Sequence, residues 1–283
     1  MEFWKNVFRI LDYRIEMPPS YGWFHLMFVA LSLLLGILLC VTHKQGDDRR
    51  VRRVVLVTAI IVAVLEIYKQ VDYSISLNGD VFEFGYQWYA FPFQFCSMTM
   101  YVGLLTAIFR KGKVHNALMA FLATYAVFGG ACVMAYPGDV FSSVLGISIQ
   151  TMICHGSMIT VGIYLWYSGY VKASHKTILK AMAVFAIAIC CAVALNETAC
   201  ATGLLKEHTF NMFFISPHCE PSLPVYSLVQ ATVPYPWCLL IYFAGFSAAA
   251  YLMSLIAMGL KKIGACRADR IRRRIYGDED RLV

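Results

Sequence analysis

Two side chains that could together transfer an acyl group lie in separate apolar segments, Cys96 and His155. A thiol and an imidazole are the pair that a cysteine nucleophile and its general base require. The first segment begins at Trp88 and the second near Val144, and we expect both to enter from the same side. At 1.5 Å per residue, Cys96 would lie about 12 Å and His155 about 16 Å along their helices. The sequence therefore predicts a thiol and an imidazole at similar depth.

Other polar side chains could assist this pair. An oxyanion needs hydrogen-bond donors, and the candidates are Gln94, Ser97 and Asn196. The alternative for these three is ordinary hydrogen bonding between helices. Asp139 could orient His155 as the third member of a triad, or could be the turn residue that the preceding Pro-Gly favours.

A second group could hold a substrate. Glu66 and Lys69 are three residues apart on one helix face and can pair, either to lock helix packing or to hold a head group. Asn211 begins an apolar stretch in a loop, which we expect to fold back as a re-entrant or interfacial cover. We find no zinc signature, P-loop or dinucleotide fingerprint, so we predict no metal and no cofactor. Cys200 and Cys219 could form a disulfide or remain thiols.

Long apolar blocks determine which elements position these residues. Hydrophobic residues make up 59% of the 283 residues and charged residues only 14%, whereas soluble domains carry about a quarter charged residues. A helical span needs about 20 mostly apolar residues, and a helix satisfies its backbone hydrogen bonds within the segment. We predict an all-α polytopic membrane protein with seven spans, at residues 21–42, 54–73, 88–109, 114–136, 144–168, 177–199 and 236–260.

Lys and Arg concentrate in alternate connections, at residues 44–53, 110–113, 172–180 and 261–281. Because basic loops stay in the cytoplasm, we expect an outside or lumenal N-terminus and a cytoplasmic C-terminus. We divide the chain into an amphipathic interfacial segment (1–20), a seven-helix domain (21–260) with an outer loop (201–235), and a basic tail (261–283). The tail could also contact anionic lipid, and we expect no nucleic-acid partner.

The motifs around the two reactive side chains resemble a known family. The segment Phe91-Pro-Phe-Gln-Phe-Cys96-Ser97 resembles the Leu-Pro-Leu-His-Leu-Cys-Ser signature of the bacterial YwaF-like integral membrane proteins. The resemblance covers approximately residues 60–240 and continues through Tyr136-Pro-Gly-Asp139, Cys154-His155-Gly156, Asn196, Asn211-Met-Phe-Phe and Pro236-Trp237. The chain is thus similar to the transmembrane protein 164 acyltransferase family and, more distantly, to the androgen-induced hydrolases of fatty-acid esters.

The resemblance implies a Cys/His acyl-transfer site within a seven-helix fold, with the motif cysteine at Cys96 and the motif histidine at His155. In that family an acyl chain moves between phospholipid and lysophospholipid through a cysteine, without coenzyme A. The signature histidine is replaced by Gln94 here, so His155 must be the base. We therefore predict a phospholipid acyltransferase with a thioester intermediate, acting in the outer or lumenal half of the bilayer. The alternatives are a lipid hydrolase of the same fold and a transporter or receptor-like protein that binds a polar solute.

Overall fold

The protein, described here from a computed structural model, is a bundle of long apolar helices. The structure describes residues 2–138, 140–203, 209–220 and 223–276. In those ranges the α-helices are α1 (Glu2–Leu11), α2 (Trp23–Val41), α3 (Asp48–Asp72), α4 (Met98–Ile108), α5 (Gly112–Phe121), α6 (Val127–Ala135), α7 (Leu145–Tyr167), α8 (His175–Ala201), α9 (Pro224–Thr232) and α10 (Tyr235–Tyr276). The strands are β1 (Ile75–Asn78) and β2 (Val81–Phe84).

Within these ranges, seven segments are long and apolar enough to cross a membrane, which confirms the predicted all-α polytopic fold. They are Trp23–Val41, Asp48–Asp72, Trp88–Ile108, Gly112–Ala135, Leu145–Tyr167, His175–Ala201 and Tyr235–Lys262. The last helix continues beyond its span to Tyr276. The sidedness of the termini and the division into three parts stay predictions.

The third span is broken. The prediction of one continuous α-helix that begins at Trp88 is wrong. Two short 3-10 turns, Trp88–Ala90 and Phe95–Ser97, precede α4. The break follows from Pro92, which lacks a backbone N–H and favours an extended conformation in the residue before it. Phe91 is extended, with φ −47° and ψ 135°. Cys96 therefore lies on the turn that leads into α4, and its depth cannot be counted along one regular helix.

The fourth span also departs from a regular α-helix. Residues Leu122–Ala126 form a π-helical turn between α5 and α6, and α7 packs closely against it. Any Cβ at Gly162 would collide with the Val127 side chain, so α7 can lie this close to the fourth span only with glycine at this position. The tight contact fixes α7 in the bundle, and α7 carries His155.

A non-helical loop follows α8 and is buried against the bundle. Met212 and Phe213 have no measurable exposure, and Phe213 and Phe214 adopt left-handed φ values of 58° and 59°. Asn196 binds both backbone groups of Met212, with the Met212 N–H donating to Oδ1 at 2.8 Å and Nδ2 donating to the carbonyl at 3.1 Å. The Tyr242 hydroxyl donates to the Phe213 carbonyl at 3.1 Å. Side chains thus satisfy the irregular backbone, as burial away from water requires.

A small β-hairpin follows α3 and was not predicted. β1 pairs antiparallel with β2, with Ile75 opposite Phe84. Asn78 pairs with Val81, so the two turn residues are Gly79 and Asp80. Gly79 has a φ of 62°, the positive value that two-residue hairpin turns require at their first central position. α1 packs beside the hairpin through an edge-to-face contact between Phe8 and Phe82, with ring centroids 5.8 Å apart.

Candidate active site

A cavity of about 230 Å³ contains most of the polar residues singled out in the sequence. Its walls come from the end of α3, the broken segment before α4, the first half of α7 and the loop after α8. The predicted residues that line it are Lys69, Gln94, Cys96, His155 and Asn211. The structure therefore brings together candidates that are far apart in the sequence.

Cys96 contacts two polar groups of α7. Its thiol interacts with the Cys154 thiol and with the His155 imidazole. The Cys154 thiol is also positioned to donate to the Cys96 backbone carbonyl, at 3.6 Å. Cys96 lies two residues before the first residue of α4, and the N-terminal end of a helix favours negative charge. This position suits a thiol that must become a thiolate.

His155 is held in one tautomer by its own helix. The ring is buried, and Nδ1 lies 2.8 Å from the Thr151 carbonyl oxygen. A carbonyl oxygen can only accept, so Nδ1 must carry the proton in this hydrogen bond. The neutral ring then has its lone pair on Nε2. His155 is therefore arranged to accept a proton at Nε2.

The predicted pair of Glu66 and Lys69 forms, with Lys69 Nζ 2.7 Å from Glu66 Oε1 and both side chains mostly buried. Gln70 Nε2 donates to the same carboxylate at 2.8 Å and to the Ala90 carbonyl at 2.8 Å. The Tyr86 hydroxyl donates to Gln70 Oε1 at 2.5 Å. The network fixes the carboxylate from several sides, so Lys69 presents a positioned ammonium to the cavity.

Gln94 connects the broken segment to the loop after α8. Its Nε2 donates to the Asn211 carbonyl at 3.0 Å, and its Oε1 accepts from the Phe213 N–H at 3.1 Å. An amide carries two N–H donors, so one remains for another acceptor. Asn211 Oδ1 accepts from the Ser216 N–H at 2.9 Å, so the Asn211 amide nitrogen is directed to other contacts. The two amides shape one wall of the cavity.

Two further candidates do not line the described part of the cavity, and a third is not among the described residues. Ser97 is buried beside Cys96, and its hydroxyl has no hydrogen-bond partner among the described residues, but it does not line the described part of the cavity. Asn196 holds Met212 and likewise contributes no described surface to the cavity. Asp139 lies outside the described residues, so its predicted contact with His155 stays a prediction. Cys200 and Cys219 are separate thiols in the structure.

Several cavity residues were not singled out from the sequence: Tyr73, Tyr89, Gln150, Thr151 and Cys154. Cys154 adjoins His155, and Thr151 is one helical turn before it, so the helix period could have indicated Thr151. Tyr73 follows the end of α3, and burial raises the pKa of its phenol, which keeps it a neutral hydrogen-bond donor. Among the described residues, no group of three or more His, Cys, Asp or Glu side chains could hold a metal ion.

Comparison with known proteins identifies the family. The model of the TMEM164 family matches residues 20–256, which is most of the chain. The chain belongs to the TMEM164 family. The match spans every candidate site residue, from Glu66 to Asn211. No curated protein and no solved structure matches the chain, so the TMEM164 family assignment rests on the family model together with the seven-span fold.

Proposed function

We propose that this TMEM164 family protein is a phospholipid acyltransferase that carries the acyl chain as a thioester on Cys96. The observation that best supports this is the Cys96 thiol against His155, whose Nδ1 hydrogen bond to Thr151 makes Nε2 the basic nitrogen. Covalent acyl transfer requires a nucleophile, a base in contact with it and a third group that orients the base. The family membership and the membrane-spanning fold are consistent with a lipid substrate.

The first half-reaction loads the cysteine. His155 Nε2 removes the thiol proton, and the Cys96 sulfur bonds to an ester carbonyl carbon of a phospholipid. The carbon–oxygen bond of the ester then breaks, and the lysophospholipid oxygen leaves with the proton that His155 Nε2 carried. The spare N–H groups of the Gln94 and Asn211 amides are the donors we assign to the developing oxyanion.

The second half-reaction transfers the chain. A lysophospholipid hydroxyl gives its proton to His155 Nε2 and attacks the thioester carbonyl carbon, and Cys96 departs as a thiolate that takes the proton back. The cavity is small, and Gln150, Cys154 and His155 in its wall are buried, so a bound lipid would leave little space for water. Restricting water favours a lipid hydroxyl over hydrolysis, so we place transfer ahead of a lipase activity.

Lys69 is the residue we assign to the head group. Its ammonium lines the same cavity as Cys96, and Glu66 and Gln70 fix its position. A compact ammonium attracts phosphate oxygens as a point charge. The glycerol ester of a lipid bound in this way could lie beside the thiol, because both groups face one small space.

The test is an exchange assay with the full-length protein in lipid nanodiscs. A donor phospholipid with one deuterated chain is mixed with an unlabelled lysophospholipid, and mass spectrometry follows both transfer and free fatty acid. We expect Cys96→Ala to lower transfer at least about 1,000-fold, since removal of a nucleophile removes the covalent route.

The matched control is Cys190→Ala, because Cys190 is an exposed thiol on α8. We expect this variant to transfer at the wild-type rate. Transfer that persists in Cys96→Ala would refute the thioester mechanism. Free fatty acid that forms in place of the exchanged lipid would instead assign the site to a hydrolase.

A further inference from the structure

An apolar groove lies outside the active-site cavity, on the other side of the end of α3. It has a volume of about 480 Å³, within the range of about 300–1,000 Å³ typical of ligand sites. One wall is the face of α1 formed by Trp4, Val7, Phe8 and Leu11, and the other wall is the β-hairpin. Glu83 is the only charged lining residue that the described structure shows, and its carboxylate accepts from Asn78. The groove is therefore suited to an apolar ligand.

The two walls are fixed to each other. Lys5 of α1 lies 3.0 Å from Asp80 in the hairpin turn, and Arg9 lies 3.6 Å from the same carboxylate. Phe8 packs against Phe82 at the base. The groove is thus a preformed space between two connected elements.

The groove is continuous with the surface that faces lipid. On α3, exposed apolar side chains recur at the helical spacing of three and four residues, which places them on one stripe. The stripe consists of Val57, Ile60, Val64, Ile67 and Val71. Val71 is its last member and also lines the groove. An acyl chain that packs along this stripe in the bilayer would reach the groove without crossing a polar surface.

The groove mouth carries exposed aromatic side chains. Trp4 is 64% exposed and Phe84 80%. Phe3, whose ring contacts Trp4, is 68% exposed, and cationic Arg9 lies on the same helix as Trp4. Aromatic and basic side chains together are typical of segments at the membrane interface. A water-exposed groove with these edges would be unfavourable, whereas lipid would cover it.

We propose that the groove between α1 and the β-hairpin binds the acyl chain of a membrane lipid at the end of α3. The inference does not rest on the proposed acyltransferase activity, because none of its residues lines the active-site cavity. It assigns a second lipid site to the protein, on the opposite side of the end of α3 from Lys69 and Tyr73.

The test uses the full-length protein in nanodiscs that contain phosphatidylcholine with a photoactivatable diazirine in the middle of one acyl chain. After illumination, mass spectrometry of peptides locates the attached lipid. We expect labelling of α1 and the hairpin in addition to the exposed faces of the spans. Val7→Trp fills the groove and should lower labelling of the α1 and hairpin peptides at least fivefold.

The matched control is Ile10→Trp, because Ile10 lies on α1, is 75% exposed and does not line the groove. Its labelling should equal that of the wild type. Labelling of α2 in each variant reports that the bundle remains folded in the membrane. If Val7→Trp does not fold, Leu11→Trp replaces it in the test, because it fills the groove from the other end.

Two results would overturn the proposal. The first is a wild type whose α1 and hairpin peptides stay unlabelled while α2 is labelled. The second is equal labelling in the wild type, the groove-filling variants and Ile10→Trp, which would mean that the probe reports the general surface of the segment.

Discussion

The candidate active-site cavity and the apolar groove lie on opposite sides of the end of α3, and they are built from opposite chemistry. Lys69 and Tyr73 line the cavity, whereas Val71 and Ile75 line the groove. Residues two apart near a helix end point to different sides, so one turn of α3 separates a polar face from a lipid-facing one. The comparison teaches that polar side chains in this protein are directed into the bundle, where partners satisfy them.

The two regions should also respond differently to substitution. Around the cavity, buried polar groups depend on one another, so loss of one partner leaves another without compensation. Around the groove, the carboxylates of the ion pairs are exposed, with the Asp80 side chain 73% exposed, and water can replace their contacts. We therefore expect substitutions on the cavity side to change activity or stability strongly, and substitutions on the groove side to change stability little.

The largest of these effects should come from the base. His155→Ala removes the group that accepts the thiol proton, and we expect acyl transfer to fall by about 100- to 10,000-fold. The nanodisc exchange assay measures this rate. His218→Ala is the control, since His218 lies between α8 and α9 and pairs with Glu197, and it should keep the wild-type rate. A fall smaller than about threefold in His155→Ala would remove His155 from the proton transfer.

The next effect should be on stability. Glu66→Gln leaves the Lys69 ammonium buried without its carboxylate, and we expect a loss of about 3–5 kcal/mol in the free energy of unfolding. The same measurement on Asp80→Asn removes an exposed carboxylate from Lys5 on the groove side, where Glu2 remains 3.1 Å from Lys5, and we expect a much smaller loss. Denaturation in detergent compares the two variants. Equal losses would contradict the contrast between the regions.

A smaller effect should follow from the loop. Asn196→Ala removes both hydrogen bonds to the buried Met212 backbone, and we expect a loss of about 2–4 kcal/mol in the free energy of unfolding. On the groove side, Asn78→Ala removes one exposed hydrogen bond to Glu83 and should change stability by less than about 0.5 kcal/mol. If Asn196→Ala were equally neutral, the loop would not depend on side-chain support.

Hydropathy was sufficient to predict the seven spans, because bilayer thickness demands long apolar segments. The helical period was sufficient to predict the ion pair between Glu66 and Lys69, because residues three apart lie on one face of a helix. The break before Cys96 was not predicted, although Pro92 was a local signal for it. The hairpin was not predicted either, although Gly79, which is followed by Asp80 in the turn, was a local signal for it.

Other features had no local signal. Gln94 and Asn196 were predicted as oxyanion donors, but their partners in the loop at Asn211–Phe213 are distant in sequence. The hydrogen bonds depend on how α4 and α8 pack around that loop, and spacing along the chain does not contain this information. The groove likewise arises from α1 meeting the hairpin, which only the tertiary structure brings together.

The most direct test of the central claim is to trap the acyl group on the protein. The wild type is incubated with a phospholipid that carries one deuterated chain, quenched in acid and digested for mass spectrometry. We predict a deuterated acyl adduct on the Cys96 peptide that neutral hydroxylamine removes, as expected of a thioester, and that is missing in Cys96→Ala. Transfer that proceeds without an adduct on Cys96, or an adduct on Cys154 alone, would contradict the account.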